Sequence, residues 1–229
     1  MEKRSQQLPL DLGAHEMSGR DDLLVSPSLA PAVEIIDHWP DWPGPVVVLV
    51  GPPGSGKSHI ANIWRLLSGA TDAGAAVVSG RVLTPAKAFL VEDADRIGID
   101  ETALFHLINT VRQHQSHLLL TARGMPSSWK VKLPDLRSRL AGATIVEIGA
   151  PDDVLLWQVV FKLFADRQIE VDDRVVAYII ARMERSLEAA RLIVEAIDRY
   201  ALAKGRRITR SLVAEVMETL ALDGDRRQG

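Results

Sequence analysis

Residues 46–58 read VVVLVGPPGSGKS, and no other run constrains the fold as much. Five apolar, mostly β-branched residues without alternation mark a strand buried on both faces, the habit of a parallel sheet. The next eight, Gly51, Pro52, Pro53, Gly54, Ser55, Gly56, Lys57 and Ser58, satisfy G-x-x-x-x-G-K-[ST] in full. Such a loop can wrap backbone N–H groups around phosphate oxygens, because glycine permits torsions and close approaches that side chains forbid. Lys57 supplies a point charge for β- and γ-phosphates, Ser58 offers a hydroxyl to Mg²⁺, and the following helix aims its N-terminus at the anion. The expectation is a site for ATP or ADP with Mg²⁺.

The pattern on either side extends this into a fold. Residues 26–39 read as a helix with Ser28 as N-cap and Pro31 in its first turn. "WPDWPGP" (39–45) breaks it, and Trp39 and Trp42 are expected to pack around that turn. Buried-strand signals recur at 75–79, 88–93, 117–122 and 143–148, with helices after the glycine loop and over 100–114. After Pro151 strand signals stop. Residues 152–167, 172–183, 186–203 and 209–220 show helical spacing, with Asp152, Asp172 and Thr209 as N-cap candidates. The expected class is α/β, a P-loop domain with a parallel sheet followed by a small all-α lid. The expected division is a flexible tail (1–20), the α/β domain (21–150), the lid (151–222) and a flexible end (223–229).

Composition narrows the function. A net charge of −3, from 27 basic and 30 acidic residues, argues against coating nucleic acid by bulk charge. With no cysteine there is no disulfide framework, thiolate zinc site or cysteine nucleophile. No stretch reaches 18 consecutive apolar residues and no signal-peptide core opens the chain, so a soluble cytoplasmic protein without a membrane partner is expected. "KGRR" (204–207) is a small basic cluster, read as a solvated loop, with DNA contact at most indirect or weak. His59, directly after the loop, is grouped with the nucleotide-binding residues by position, though its type reads as local packing or surface.

Glu92 and Asp93 close the strand "AFLVED". There an acid can hold Mg²⁺, here Glu92, while its neighbour Asp93 orients the attacking water; the plain alternative is a pair of turn residues.

Loop, acidic strand end, polar residue on a later strand and helical lid together resemble the AAA+ ATPases. "DLLVSPSL" (22–29) is similar to the segment before the P-loop in DnaA-type replication initiators. "LLLTARGMPSSW" (118–129) resembles their sensor 1 strand, with Thr121 at the polar position. "LPDLRSRLAGATIVEI" (133–148) resembles their box VII, which implies an arginine finger at Arg139; Arg137 is the neighbouring candidate. "RSLEAARLIVEAIDRY" (185–200) resembles the sensor 2 helix, with Arg185 reaching the nucleotide.

The chain also departs from the initiators. It ends soon after the lid, where they carry a helix-turn-helix domain, and only the 34 residues from 58 to 91 separate Lys57 from Glu92. The acidic pair is Glu-Asp where initiators show Asp-Asp, which puts vigorous hydrolysis in doubt. This layout resembles the Hda family, whose members begin with a peptide that binds the sliding clamp. Gln7, Leu8, Leu10 and Leu12 in "QLPLDL" match that peptide.

The resemblance implies a negative regulator of replication initiation with weak or no ATPase of its own. Its partners would be the sliding clamp (the β subunit of DNA polymerase III) and DnaA, with a homo-oligomer possible. Arg139 would act in trans on DnaA-bound ATP. The alternatives are a self-sufficient AAA+ ATPase that loads or remodels replication or transposition machinery, and an adaptor whose nucleotide is structural.

Overall fold

The structure, a computed structural model, describes the backbone of residues 26–228 except 82, 85 and 97, and side chains as far as residue 220. The leucine peptide at 7–12 lies outside the described residues. Five strands form one sheet: β1 (Val46–Val50), β2 (Thr71–Asp72), β3 (Ala88–Val91), β4 (His117–Ala122) and β5 (Thr144–Glu147). All paired strands are parallel, in the order β2-β3-β4-β1-β5. β1 is therefore internal, with Val46 opposite Leu118 and Val47 opposite Thr144.

The unbroken apolar run of β1 is explained by its two buried faces. Val46, Val48 and Val50 belong to a core with Phe89, Leu118 and Leu120. That core is closed by α3 (Gly74–Val78), α4 (Glu101–Gln113) and α5 (Pro134–Ala141). Val47 and Leu49 point the other way, into a core with α1 (Ala30–Asp37) and α2 (Lys57–Ser68). The same contiguous core includes the lid helices α6 (Asp153–Ala165), α7 (Asp173–Ile180), α8 (Leu187–Lys204) and α9 (Arg210–Gln228). Trp39 and Trp42 do pack: Trp42 stacks on Trp64 at 5.1 Å and Trp39 meets it edge-on at 6.5 Å.

Two expectations are corrected. Residues 75–79 are not a strand. The ladder ends where Ala73 N–H donates to Leu90 O, and Val77 N–H then donates to Ala73 O, which starts a helical turn. The edge strand is instead the exposed pair Thr71–Asp72. Ser28 is not an N-cap either. Leu29 occupies that position without a side-chain bond, and the Ser28 hydroxyl bonds the Ser26 hydroxyl at 2.8 Å.

In the lid, Asp152 and Asp172 cap α6 and α7 through the N–H groups of Leu155 and Arg174. Thr209 reaches Leu212 N–H only at 3.4 Å, and α9 continues past the expected end at 220 to Gln228. Among the described residues no helix is long and apolar enough to cross a membrane.

Candidate nucleotide site and the lid

The site forms at the carboxyl end of β1, where open parallel sheets place ligands. Its base is held from both sides: Gly51 N–H donates to Ala122 O at the end of β4, and Ile148 N–H donates to Val50 O. Gly54 (φ +67°) and Gly56 (φ +100°) are left-handed, so the loop can turn back over the start of α2. Lys57 and Ser58 open α2, so the lysine enters from the first helical turn.

Lys57 is 7% exposed, and its ammonium donates to Gly51 O and Pro52 O, both at 2.7 Å. Burial lowers its pKa below the ordinary lysine value. The carboxylates of Asp93, Asp95 and Glu92 oppose that shift, while the Arg123 guanidinium adds to it. A phosphate seated at the loop would supply the negative charge that this desolvated ammonium favours.

The acidic strand end is more committed than its sequence suggests. Glu92 is exposed at the end of β3. Asp93 sits at φ +50°, its N–H donates to Thr121 Oγ1 at 2.9 Å, and its carboxylate pairs with Arg96 at 2.7 Å. Thr121, 1% exposed, thus holds the turn that presents the acids. Ser58 and Glu92 offer hard oxygen donors of the kind Mg²⁺ takes. His59, next to the loop in α2, is partly buried.

Two residues here escaped sequence reasoning. Asp95 accepts the N–H groups of Arg123 at 2.8 Å and Gly124 at 3.0 Å, and Trp129 Nε1 donates to Gly124 O at 2.8 Å. This fixes the turn after β4 and leaves Arg123 exposed close enough to Lys57 to affect its titration. Only the pairing of β3 with β4 brings these residues together, so no local spacing announces them.

The lid closes on the loop through its third helix. Leu187 N–H donates to Gly54 O at 2.8 Å, and Ser186 caps α8 through Ala189 N–H. Arg185, one residue away, turns its guanidinium to the start of α6, pairing with Asp153 at 2.6 Å and donating to Pro151 O at 3.3 Å.

The two arginines of "LRSRL" differ in a consequential way. Arg137 donates to Val131 O at 2.6 Å. Arg139 lies in the last turn of α5, partly buried, and has no ion-pair partner among the described residues. Since α5 leads into the start of β5, and Thr144 pairs with Val47, Arg139 lies by the amino-terminal edge of the sheet. The chain's own P-loop follows Val50 at the opposite edge, roughly 13 Å away along β1 at the usual rise per residue.

Comparison with known proteins places the chain. A family model described as "Hda, lid domain" matches residues 160–217. An uncharacterized protein of Haemophilus influenzae is 24% identical over 234 residues, covering 93% of this chain and 99% of the relative. The chromosomal replication initiator protein DnaA of Enterococcus faecalis is 30% identical over 146 residues, 61% of this chain but only 32% of the initiator. In structure, domain III of the Thermotoga maritima replication initiation protein DnaA superposes with a TM-score of 0.72 at 14% identity, covering 87% of this chain and 95% of that one. The chain is thus similar to Hda in its lid, over residues 160–217, and shares the parallel P-loop fold of domain III of DnaA.

Proposed function

We propose that the protein is a negative regulator of replication initiation. It binds ATP or ADP with Mg²⁺ at Gly51–Ser58, docks on the sliding clamp through Gln7, Leu8, Leu10 and Leu12, and hastens hydrolysis of DnaA-bound ATP with Arg139. The observation that carries this reading is the placement of Arg139. It has no ion-pair partner among the described residues and sits at the sheet edge remote from its own nucleotide loop, as a group serving a neighbour must. A guanidinium stays charged at any working pH and spans two oxygens of a transferring phosphoryl group, which is the charge such a transition state requires.

In this reading the chain's own nucleotide is chiefly structural. Lys57 binds its phosphates, and Ser58 and Glu92 hold the Mg²⁺ that neutralises them. Asp93, drawn toward Arg96, is poorly placed to orient a water, in keeping with weak intrinsic hydrolysis. In an alternate-residue leucine edge all three side chains face one way, which suits a hydrophobic pocket on the clamp.

The test follows ATP bound to DnaA in a mixture of DnaA, DNA-loaded clamp and this protein. The native protein should accelerate hydrolysis, and Arg139→Ala should lower that acceleration by about a thousandfold or more. Equal stimulation by native and variant protein would overturn the reading. Changing Gln7, Leu8 and Leu10 to alanine should abolish both clamp capture and clamp-dependent stimulation.

A further inference from the structure

The arginines of the lid fall into two groups. Arg167, Arg185, Arg199 and Arg206 are paired with Asp198, Asp153, Glu195 and Glu215. Arg206 thereby takes one charge of the "KGRR" loop out of play. Arg174, Arg182, Arg191, Arg207 and Arg210 have no ion-pair partner among the described residues, and all five are exposed. Three of them gather around one ring. Arg174 and Arg182 lie one turn on either side of Tyr178 along one stripe of the α7 region. The Arg182 guanidinium lies 3.8 Å from the Tyr178 ring centre, and that of Arg210, from α9, lies 4.7 Å from the same centre.

The nearby carboxylates form no ion pair with these three guanidiniums. Asp172 spends its carboxylate capping α7 at Arg174 N–H, Asp173 lies in the first turn of the same helix, and Glu184 is exposed beyond Arg182. The ring itself is partly buried against the lid core, so it is a fixed platform. Two like charges stacked on one anchored ring, with a third a turn away, repel one another, and an external anion relieves that repulsion. Guanidinium forks match phosphate oxygens in planar, paired geometry. A cluster of them spread over α7, the turn after it and the start of α9 suits a ligand with repeated phosphates better than a single ion.

The geometry points to a nucleic-acid contact on the lid: Arg174, Arg182 and Arg210, organised by Tyr178, hold the phosphodiester backbone of DNA. The net charge of −3 does not oppose this, because the contact needs only a local cationic face. The site is separate from the nucleotide loop and independent of the function proposed above.

The test measures binding of a fluorescent mixed-sequence oligonucleotide, single-stranded and as duplex, by anisotropy across a salt series with the full chain. The native protein should bind at low salt. Removing all three charges (Arg174→Gln, Arg182→Gln and Arg210→Gln together) should flatten the slope of log affinity against log salt by about 2–3. The two forms of DNA show which is preferred. Arg199→Gln, which alters a residue already paired with Glu195, should leave the slope unchanged. Circular dichroism and melting of the triple variant check the fold. If it is unfolded, Arg182→Gln and Arg210→Gln singly should each flatten the slope by a little under one. The proposal is overturned if the native protein does not bind DNA at low salt, or if the folded triple variant keeps the native slope. It is equally overturned if polyglutamate occupies the site while DNA does not, which would assign the face to an acidic protein surface.

Discussion

Gly54 shows how much one residue can carry. Its φ of +67° is a torsion that alanine adopts only at a cost of about 1–2 kcal/mol. A Cβ built there would come 2.3 Å from the Ser186 Cβ, which is too close to exist without movement. Ser186 is the N-cap of α8, and the next residue donates its N–H to Gly54 O, so the movement would pass into the lid. Gly54→Ala should therefore lower stability by about 2–4 kcal/mol in urea unfolding, adding overpacking to torsional strain. It should also weaken nucleotide binding by at least about tenfold, one RT-scaled step of 1.4 kcal/mol. Adding Ser186→Gly should recover the steric part but not the torsional part, so the double variant should fall between. A Gly54→Ala protein with native stability would show that the lid does not rest on the loop. The motif made Gly54 legible in the sequence as a phosphate-loop glycine. Its second role as the seat of α8 was not legible, because the contact joins residues more than 130 positions apart.

At the scale of elements, the parts that were legible are those whose cause is local. β1 was readable from five consecutive buried residues, and α6 and α7 from Asp152 and Asp172 directly ahead of apolar periodicity. α3 was misread because five residues rich in alanine and valine cannot display a period; the ladder ending at Ala73 decides the matter. The seat of α5 was hidden for a different reason. Glu101, in the first turn of α4, accepts the N–H of Lys132 at 2.9 Å and of Leu133 at 2.7 Å, so one helix fixes the entry to another across some 30 residues. These backbone bonds, chiefly that from Lys132, hold the Glu101 carboxyl below its ordinary value of 4.5. A carboxylate with a depressed folded pKa contributes stability that is complete above the unfolded value and fades as the pH falls through the folded one. Native protein should therefore lose stability on acidification below about pH 4.5 more steeply than Glu101→Gln, which cannot titrate. Urea midpoints across that range measure it. Superimposable pH profiles would mean that the entry to α5 is set by something other than Glu101.

At the scale of the whole molecule, the lid is part of the core and is not an appendage. Phe164 of α6 is fully buried and belongs to the same contiguous apolar cluster as Val47, Leu49 and Leu119 of the sheet and Trp64 of α2. The lid also reaches the nucleotide loop from above at Gly54 and Gly56, where Leu187 Cδ1 would lie 3.2 Å from an added Cβ. Apolar packing below and a backbone hydrogen bond above couple the two regions, so an event at the phosphate loop has a direct mechanical route to the lid surface. The change from strands to helices after residue 150 does not interrupt this core. The chain should unfold in one cooperative step, and damage to the lid core should be felt in the sheet. Phe164→Ala should lower the stability of the entire chain by about 3–5 kcal/mol, the usual cost of an aromatic cavity. With Trp157 of α6 replaced by Phe in both proteins, loss of near-ultraviolet signal, then dominated by tryptophans outside the lid such as the Trp39, Trp42 and Trp64 cluster, should coincide with loss of far-ultraviolet helicity. The opposite result, in which the variant's helicity falls in an early step while the tryptophan signal keeps its native midpoint, would show a lid that melts alone.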